Sequence, residues 1–205
     1  MSRLQLTPEE YTDWFDAARN GNEETVREMA QKYPGIVNTT SYEGASALLT
    51  ATEEQRNDIV VLLLTLGAQI DLADEQGATP LITTACTGAA GTMKLLLEKG
   101  AQVESRFGEA LSTPLHCAAH NGNLECVKLL IENGADIMAK TGKGLTALEE
   151  ARRTGAGDCA KYLELEMTRR HFADEAQMLT GGLVHDIKVG HKITLKRRTR
   201  ELAHD

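Results

Sequence analysis

Residues 113–136 read TPLHCAAHNGNLECVKLLIENGAD, and this stretch decides the architecture of the chain. Thr113-Pro114 marks a helix start, because threonine can cap the first turn and proline has no amide hydrogen to lose there. A short Ala-rich helix follows and is interrupted at Asn121-Gly122. A second helix with a Leu-rich stripe then runs to Gly134-Ala135, where glycine ends it. The same phrase stands one unit earlier, from Thr79-Pro80-Leu81-Ile82 to Gly100-Ala101. Looser copies begin at Ser46-Ala47-Leu48-Leu49 and Thr146-Ala147-Leu148-Glu149. The starts at 46, 79, 113 and 146 lie 33, 34 and 33 residues apart. A period of this length belongs to a stacked array, in which each helix pair buries its apolar face on its neighbours.

Composition agrees with close-packed helices. The chain has 205 residues, 41% hydrophobic but only 4% aromatic, so the core is built from Leu, Ala, Val and Ile. The formal net charge is -8, unevenly spread. Residues 1–165 hold 14 Lys and Arg against 24 Asp and Glu, whereas 166–205 hold 8 against 6. An acidic array argues against general nucleic-acid binding by the repeats. The first residues lack the apolar run of a secretory signal, and the longest apolar run, Ile59 to Leu64, is too short to cross a bilayer. Cys86, Cys117, Cys126 and Cys159 have no metal-type or disulfide-type spacing, which suits reduced thiols in a cytoplasmic or nuclear protein rather than a secreted one.

From the Thr-Pro-Leu-His motif and its period, the chain resembles the ankyrin repeat family over roughly residues 10 to 165. The match is specific in the two central units and looser at the ends. The resemblance implies an all-α solenoid of about five helix-turn-helix units joined by hairpin-like loops. The units are expected near 8–38, 39–71, 72–105, 106–138 and 139–165, the outer two as degenerate caps. In the first, Thr12 takes the Thr position, Ala17-Ala18 the Ala pair and Gly21-Asn22 the turn. Thr7-Pro8-Glu9-Glu10 ahead of it is a capping box that starts a helix near Pro8. In the last, the second helix runs on through Met167 to Leu179.

Three departures from the pattern bear on the structure. Gln55 stands where the other units place glycine between the helices, so the turn is either a strained left-handed one or is reshaped. The connection Glu104 to Ser112 carries one extra residue, as does the first connection around Pro34-Gly35, and insertions in such arrays fall in loops.

The resemblance also implies where partners touch: the loop tips and the exposed side of the first helices. The tip positions are Tyr42 and Glu43, Glu75 and Gln76, Glu109, and Lys143. The helix positions are Glu53 and Glu54, Cys86, His120 and Asn121, and Arg153. Glu43, Glu53, Glu54 and Glu75 make the middle of this surface acidic, and charge of one sign steers approach more than it adds affinity. Arg106 and Phe107 in the extended loop read either as an interface pair or as a Phe folded back onto the next repeat. Tyr42 is open to the same two readings, and the glutamates are equally a solvated face.

Catalysis finds no support, since no nucleophile elbow, P-loop or dinucleotide fingerprint is present. No cofactor is implied. His116 and His120 share a helix face, but no third or fourth ligand is placed by any spacing rule, so a metal site is not expected. After Leu179 the repeat pattern stops, and residues 166–205 form a basic extension: a helix, then a small β-hairpin over 184–195 or a disordered tail. Lys196, Arg197, Arg198 and Arg200 offer a weak nucleic-acid contact, a localisation signal, or a segment that folds back on the acidic array. The function expected is a non-enzymatic adaptor or regulator, monomeric, holding a protein partner in the concave groove. The alternative is a dedicated subunit of an enzyme or assembly complex, with the extension as a second docking element.

Overall fold

The computed structural model describes residues 6–179, with side chains as far as residue 173. The described chain is helical: α1 (Pro8–Asn20), α2 (Glu23–Lys32), a 3-10 turn (Ile36–Asn38), α3 (Ala47–Glu53), α4 (Asn57–Thr65), α5 (Pro80–Thr87), α6 (Ala90–Glu98), α7 (Pro114–His120), α8 (Leu124–Glu132), α9 (Ala147–Thr154) and α10 (Gly157–Leu179). The odd-numbered helices α1 to α9 pack on one another in order and make one layer. Among the second helices, α2 packs on α4 and α6 on α8. Met1–Met167 is one compact unit, and the chain from Thr168 onward belongs to a second. The expected 184–195 hairpin and the basic residues 196–200 lie outside the described residues. Among the described residues, no helix is long and apolar enough to cross a membrane.

Every first helix begins with a side-chain cap. Ser46, Thr79, Thr113 and Thr146 each accept the amide hydrogen three residues on, at 3.1, 3.3, 3.5 and 3.3 Å. Such a cap supplies an acceptor to one of the four amide groups a helix start leaves unpaired. The first unit starts at the expected capping box, five residues ahead of the Thr12 position, and keeps Ala17-Ala18 and the Gly21 turn in register. Its cap is Thr7, whose hydroxyl accepts from Glu10 N while the Glu10 carboxylate accepts from Thr7 N. Thr12 lies inside α1, its hydroxyl donating to Pro8 O, so α1 has 13 residues where α3 and α7 have 7. The longer helix buries Trp14 and Phe15 beneath the end of the array.

Alanine sets the spacing of the layer. Ala18, Ala51, Ala85, Ala118, Ala119 and Ala151 are fully buried, so neighbouring first helices approach with little side chain between them. Leu48, Leu81, Leu115, Leu63, Leu96 and Leu130 fill the interior between the layers. The inter-helix turns use glycine at a left-handed residue, as at Gly88 and Gly155, with φ near 79° and 80°. Gln55 keeps the left-handed turn at φ 54° instead of reshaping it, at a cost of about 1 kcal/mol for its Cβ.

The connections are tight turns that hand on one to the next. Glu75 N donates to Glu43 O at 3.5 Å, Gly108 N to Gln76 O at 3.2 Å, and Gly142 N to Ala110 O at 2.7 Å. Deeper in the loops a second ladder repeats. Asn38 Oδ1 accepts from Gln69 N, Asp71 Oδ1 from Gln102 N, and Glu104 Oε1 from Asp136 N, at 2.8, 2.9 and 2.9 Å. Each bond crosses from one unit to the next, so the tips are held by their neighbours and not by their own turns alone.

Candidate docking groove

Three of the tips start at a short polar residue that satisfies the turn behind it. Ser41 Oγ accepts from Glu43 N and Ala45 N, Asp74 Oδ1 from Gln76 N and Ala78 N, and Thr141 Oγ1 from Leu145 N. At the fourth tip this position is Phe107, which has no acceptor to offer. There the turn takes its extra residue: Phe107 and Ser112 exchange both backbone hydrogen bonds, at 2.9 and 3.0 Å, and Leu111 adopts φ 49°. Arg106 replaces the missing side-chain support from outside, its Nη1 donating to Leu111 O at 3.0 Å and to Lys140 O at 2.8 Å. Phe107 is half-buried and packs against the core, so the fold-back alternative describes it and the solvent-facing one does not.

Between these tips and the first helices lies a cleft of about 190 Å³. Four expected residues meet in it: Cys86, Phe107, His120 and Asn121. Cys117 and Glu150, which the sequence reading did not place at a docking surface, line it as well, together with Ser112 and His116. Glu150 is nearly buried, and its Oε2 accepts from Arg153 Nη2 at 2.7 Å, with His120 Nδ1 3.3 Å away. Burial pushes the Glu150 carboxyl up, but the hydrogen bonds from Arg153 and His120 outweigh it and hold it below the usual carboxylate range. Arg153 and His120 therefore turn part of their polar capacity toward Glu150 while about half of each side chain stays exposed.

His116 is a buried part of this wall. Its Nδ1 sits 3.3 Å from Thr113 N and its Nε2 3.0 Å from Leu145 O, so Nε2 carries the hydrogen and donates across to the next unit's loop. Burial lowers its pKa and keeps the ring neutral. With both nitrogens engaged, it is a structural clamp. Among the described residues no group of three or more His, Cys, Asp and Glu is placed to hold a metal ion.

Toward the other end the surface is acidic. Glu43, Glu54 and Glu75 are exposed, and Glu53 closes α3 beside them. Lost hydration raises the Glu53 carboxyl above its usual range, and Asp74, Glu54 and Glu43 push the same way. Asp74 is thus a fifth carboxylate of this patch that sequence reasoning missed. Tyr42 is 93% exposed, with its ring 5.6 Å from that of Tyr11, which stands 5.1 Å from Phe15. Gln76, Glu109 and Lys143 are exposed at their tips.

Capped helix pairs, a one-unit period and tips bonded from unit to unit all fit one profile. A family model described as ankyrin repeats (3 copies) matches residues 14–107 and 106–168. The chain belongs to the ankyrin-repeat family. Relatives agree over shorter stretches. The tyrosine-protein kinase HTK16 of Hydra vulgaris is 35% identical over 87 residues, 42% of this chain and 12% of the kinase. Inversin of Danio rerio is 33% identical over 75 residues, covering 36% and 7% of the two chains. The ankyrin repeat and SAM domain-containing protein 6 of Mus musculus is 36% identical over 95 residues, covering 46% and 11%. The matched segments are a small part of these longer proteins. Ankyrin repeats are protein-interaction units, and the likeness to the kinase lies within the repeat region.

Proposed function

We propose that this chain is a non-enzymatic docking module, an adaptor or regulator, whose repeats over residues 8–165 hold a protein partner along the groove between the loop tips and the first helices. Residues 166–205 are an extension beyond the docking array. The observation that carries the reading is the acidic surface of Glu43, Glu53, Glu54, Asp74 and Glu75. There lost hydration first, and then Asp74, Glu54 and Glu43, raise the Glu53 carboxyl against the opposing pull of Arg19. Carboxylates that repel one another on a rigid surface are relieved by a cationic ligand, so the partner presents a Lys- or Arg-bearing segment there. Tyr42 beside the patch is an exposed aromatic that adds contact area. The cross-unit hydrogen bonds of the tips reduce the ordering cost of binding. A cytoplasmic or nuclear setting belongs to the same proposal.

The test is affinity capture from the native cell with the wild type and with two charge-reversed forms. Glu53→Lys with Glu54→Lys should weaken retention of the principal partner at least about tenfold, since like charges then face each other. Glu125→Lys, at an exposed position of α8, should retain it. Equal retention by all three forms would refute the acidic groove as the docking surface.

A further inference from the structure

We propose that Cys86 and Cys117 form a peroxide-oxidisable dithiol that closes to a disulfide between α5 and α7. The two residues lie on adjacent repeats and line the same cleft. Their helices pack through the fully buried Ala85, Ala118 and Ala119, which brings the backbones close. Asparagines fix both backbones: Asn123 Nδ2 donates to Ala85 O at 2.8 Å and Cys86 O at 3.1 Å, and Asn121 Nδ2 donates to Cys117 O at 2.9 Å. Cys86 is half-buried and reachable from the cleft, whereas Cys117 is buried behind it.

The thiols are also electronically matched. The hydrogen bond from Cys117 favours the Cys86 thiolate and lowers its pKa. Cys117 is pushed well up by that same bond and by burial. A partly accessible sulfur whose thiolate is favoured, next to a resolving thiol, is the arrangement that oxidises reversibly. Cys126 and Cys159 are the contrast, both buried in second helices and raised by burial, Cys126 to about 11.

The chemistry needs hydrogen peroxide as oxidant. The Cys86 thiolate attacks one peroxide oxygen, the O–O bond breaks, and the expelled hydroxide takes up a proton and leaves as water. The Cys117 sulfur then attacks the resulting sulfenic sulfur, the S–O bond breaks, and the departing hydroxide takes the Cys117 proton as a second water. Two thiols are oxidised and one peroxide is reduced to two waters.

The full chain is treated with hydrogen peroxide under native conditions, alkylated and mapped by mass spectrometry. The expected result is the loss of two hydrogens and a single cross-linked peptide pair joining Cys86 to Cys117 within one chain. Cys126 and Cys159 should be alkylated only after unfolding. In Cys117→Ser, dimedone should trap a sulfenic acid at Cys86 at least about tenfold faster than at Cys126. Four free thiols after peroxide exposure that oxidises a small-molecule dithiol would overturn the proposal. So would a bridge that includes Cys126 or Cys159, or one that joins two chains. The wild-type map decides the matter even if the variant does not fold.

Discussion

At the scale of single residues, Phe107 and Tyr42 separate packing from recognition. Both are aromatic and both occupy loop tips, but Tyr42 stands almost wholly in solvent while Phe107 packs on the core. Phe107→Ala should therefore lower unfolding stability by about 2 kcal/mol, less than a full core truncation because the ring is only half covered. Tyr42→Ala should leave the denaturant midpoint unchanged and weaken partner binding. Chemical denaturation of the two variants checks the pair, and equal midpoints would show that Phe107 carries no packing energy. His116 gives a pH prediction. Its folded pKa lies below the ordinary value of 6.5, so the unfolded chain takes a proton there that the folded chain refuses. The stabilisation from neutral His116 is complete above pH 6.5 and is lost as pH falls through that value toward the folded pKa. An NMR titration of the imidazole should place its midpoint below 6.5, and a midpoint above it would contradict the clamp.

At the scale of elements, cross-unit bonds take over from local propensity. Asn38, Asp71 and Glu104 each receive an amide hydrogen from the following unit. Asp71→Ala should cost about 1 kcal/mol by leaving Gln102 N without its partner, read as a lower midpoint in urea; no change would mean the ladder only decorates the loops. The helices themselves were legible in the sequence, since caps, proline and glycine act within a few residues of where they stand. The first unit was legible too: Ala17-Ala18 is buried and Gly21 makes the left-handed turn in the register counted from Thr12, while the Thr7 and Glu10 capping box starts the helix five residues earlier. The cleft was half legible. Cys86 and His120 fall seven residues after their cap, and the reading stopped at that position. Their partners Cys117 and Glu150 fall four after the cap of the next unit, one helical turn back on the same face. A one-residue-per-repeat view cannot reveal such pairs, because the contact joins two different positions of successive units.

At the scale of the whole molecule, the repeats make a surface whose two ends differ in kind. One end gathers carboxylates around Glu53. The other encloses Cys86, Cys117 and His120 in a cleft, where Glu150 and Arg153 satisfy each other. The acidic end carries an excess of carboxylates that attracts a cation, whereas at the opposite wall Glu150 is balanced by Arg153 and His120. The most direct measurement of this division is site-specific photocrosslinking in the native cell, with a photoreactive side chain replacing Glu54 at the groove or Glu125 on α8. The account predicts one strong, salt-sensitive protein adduct from position 54 and none of that protein from position 125. The same adduct from both positions, or from 125 alone, would contradict it.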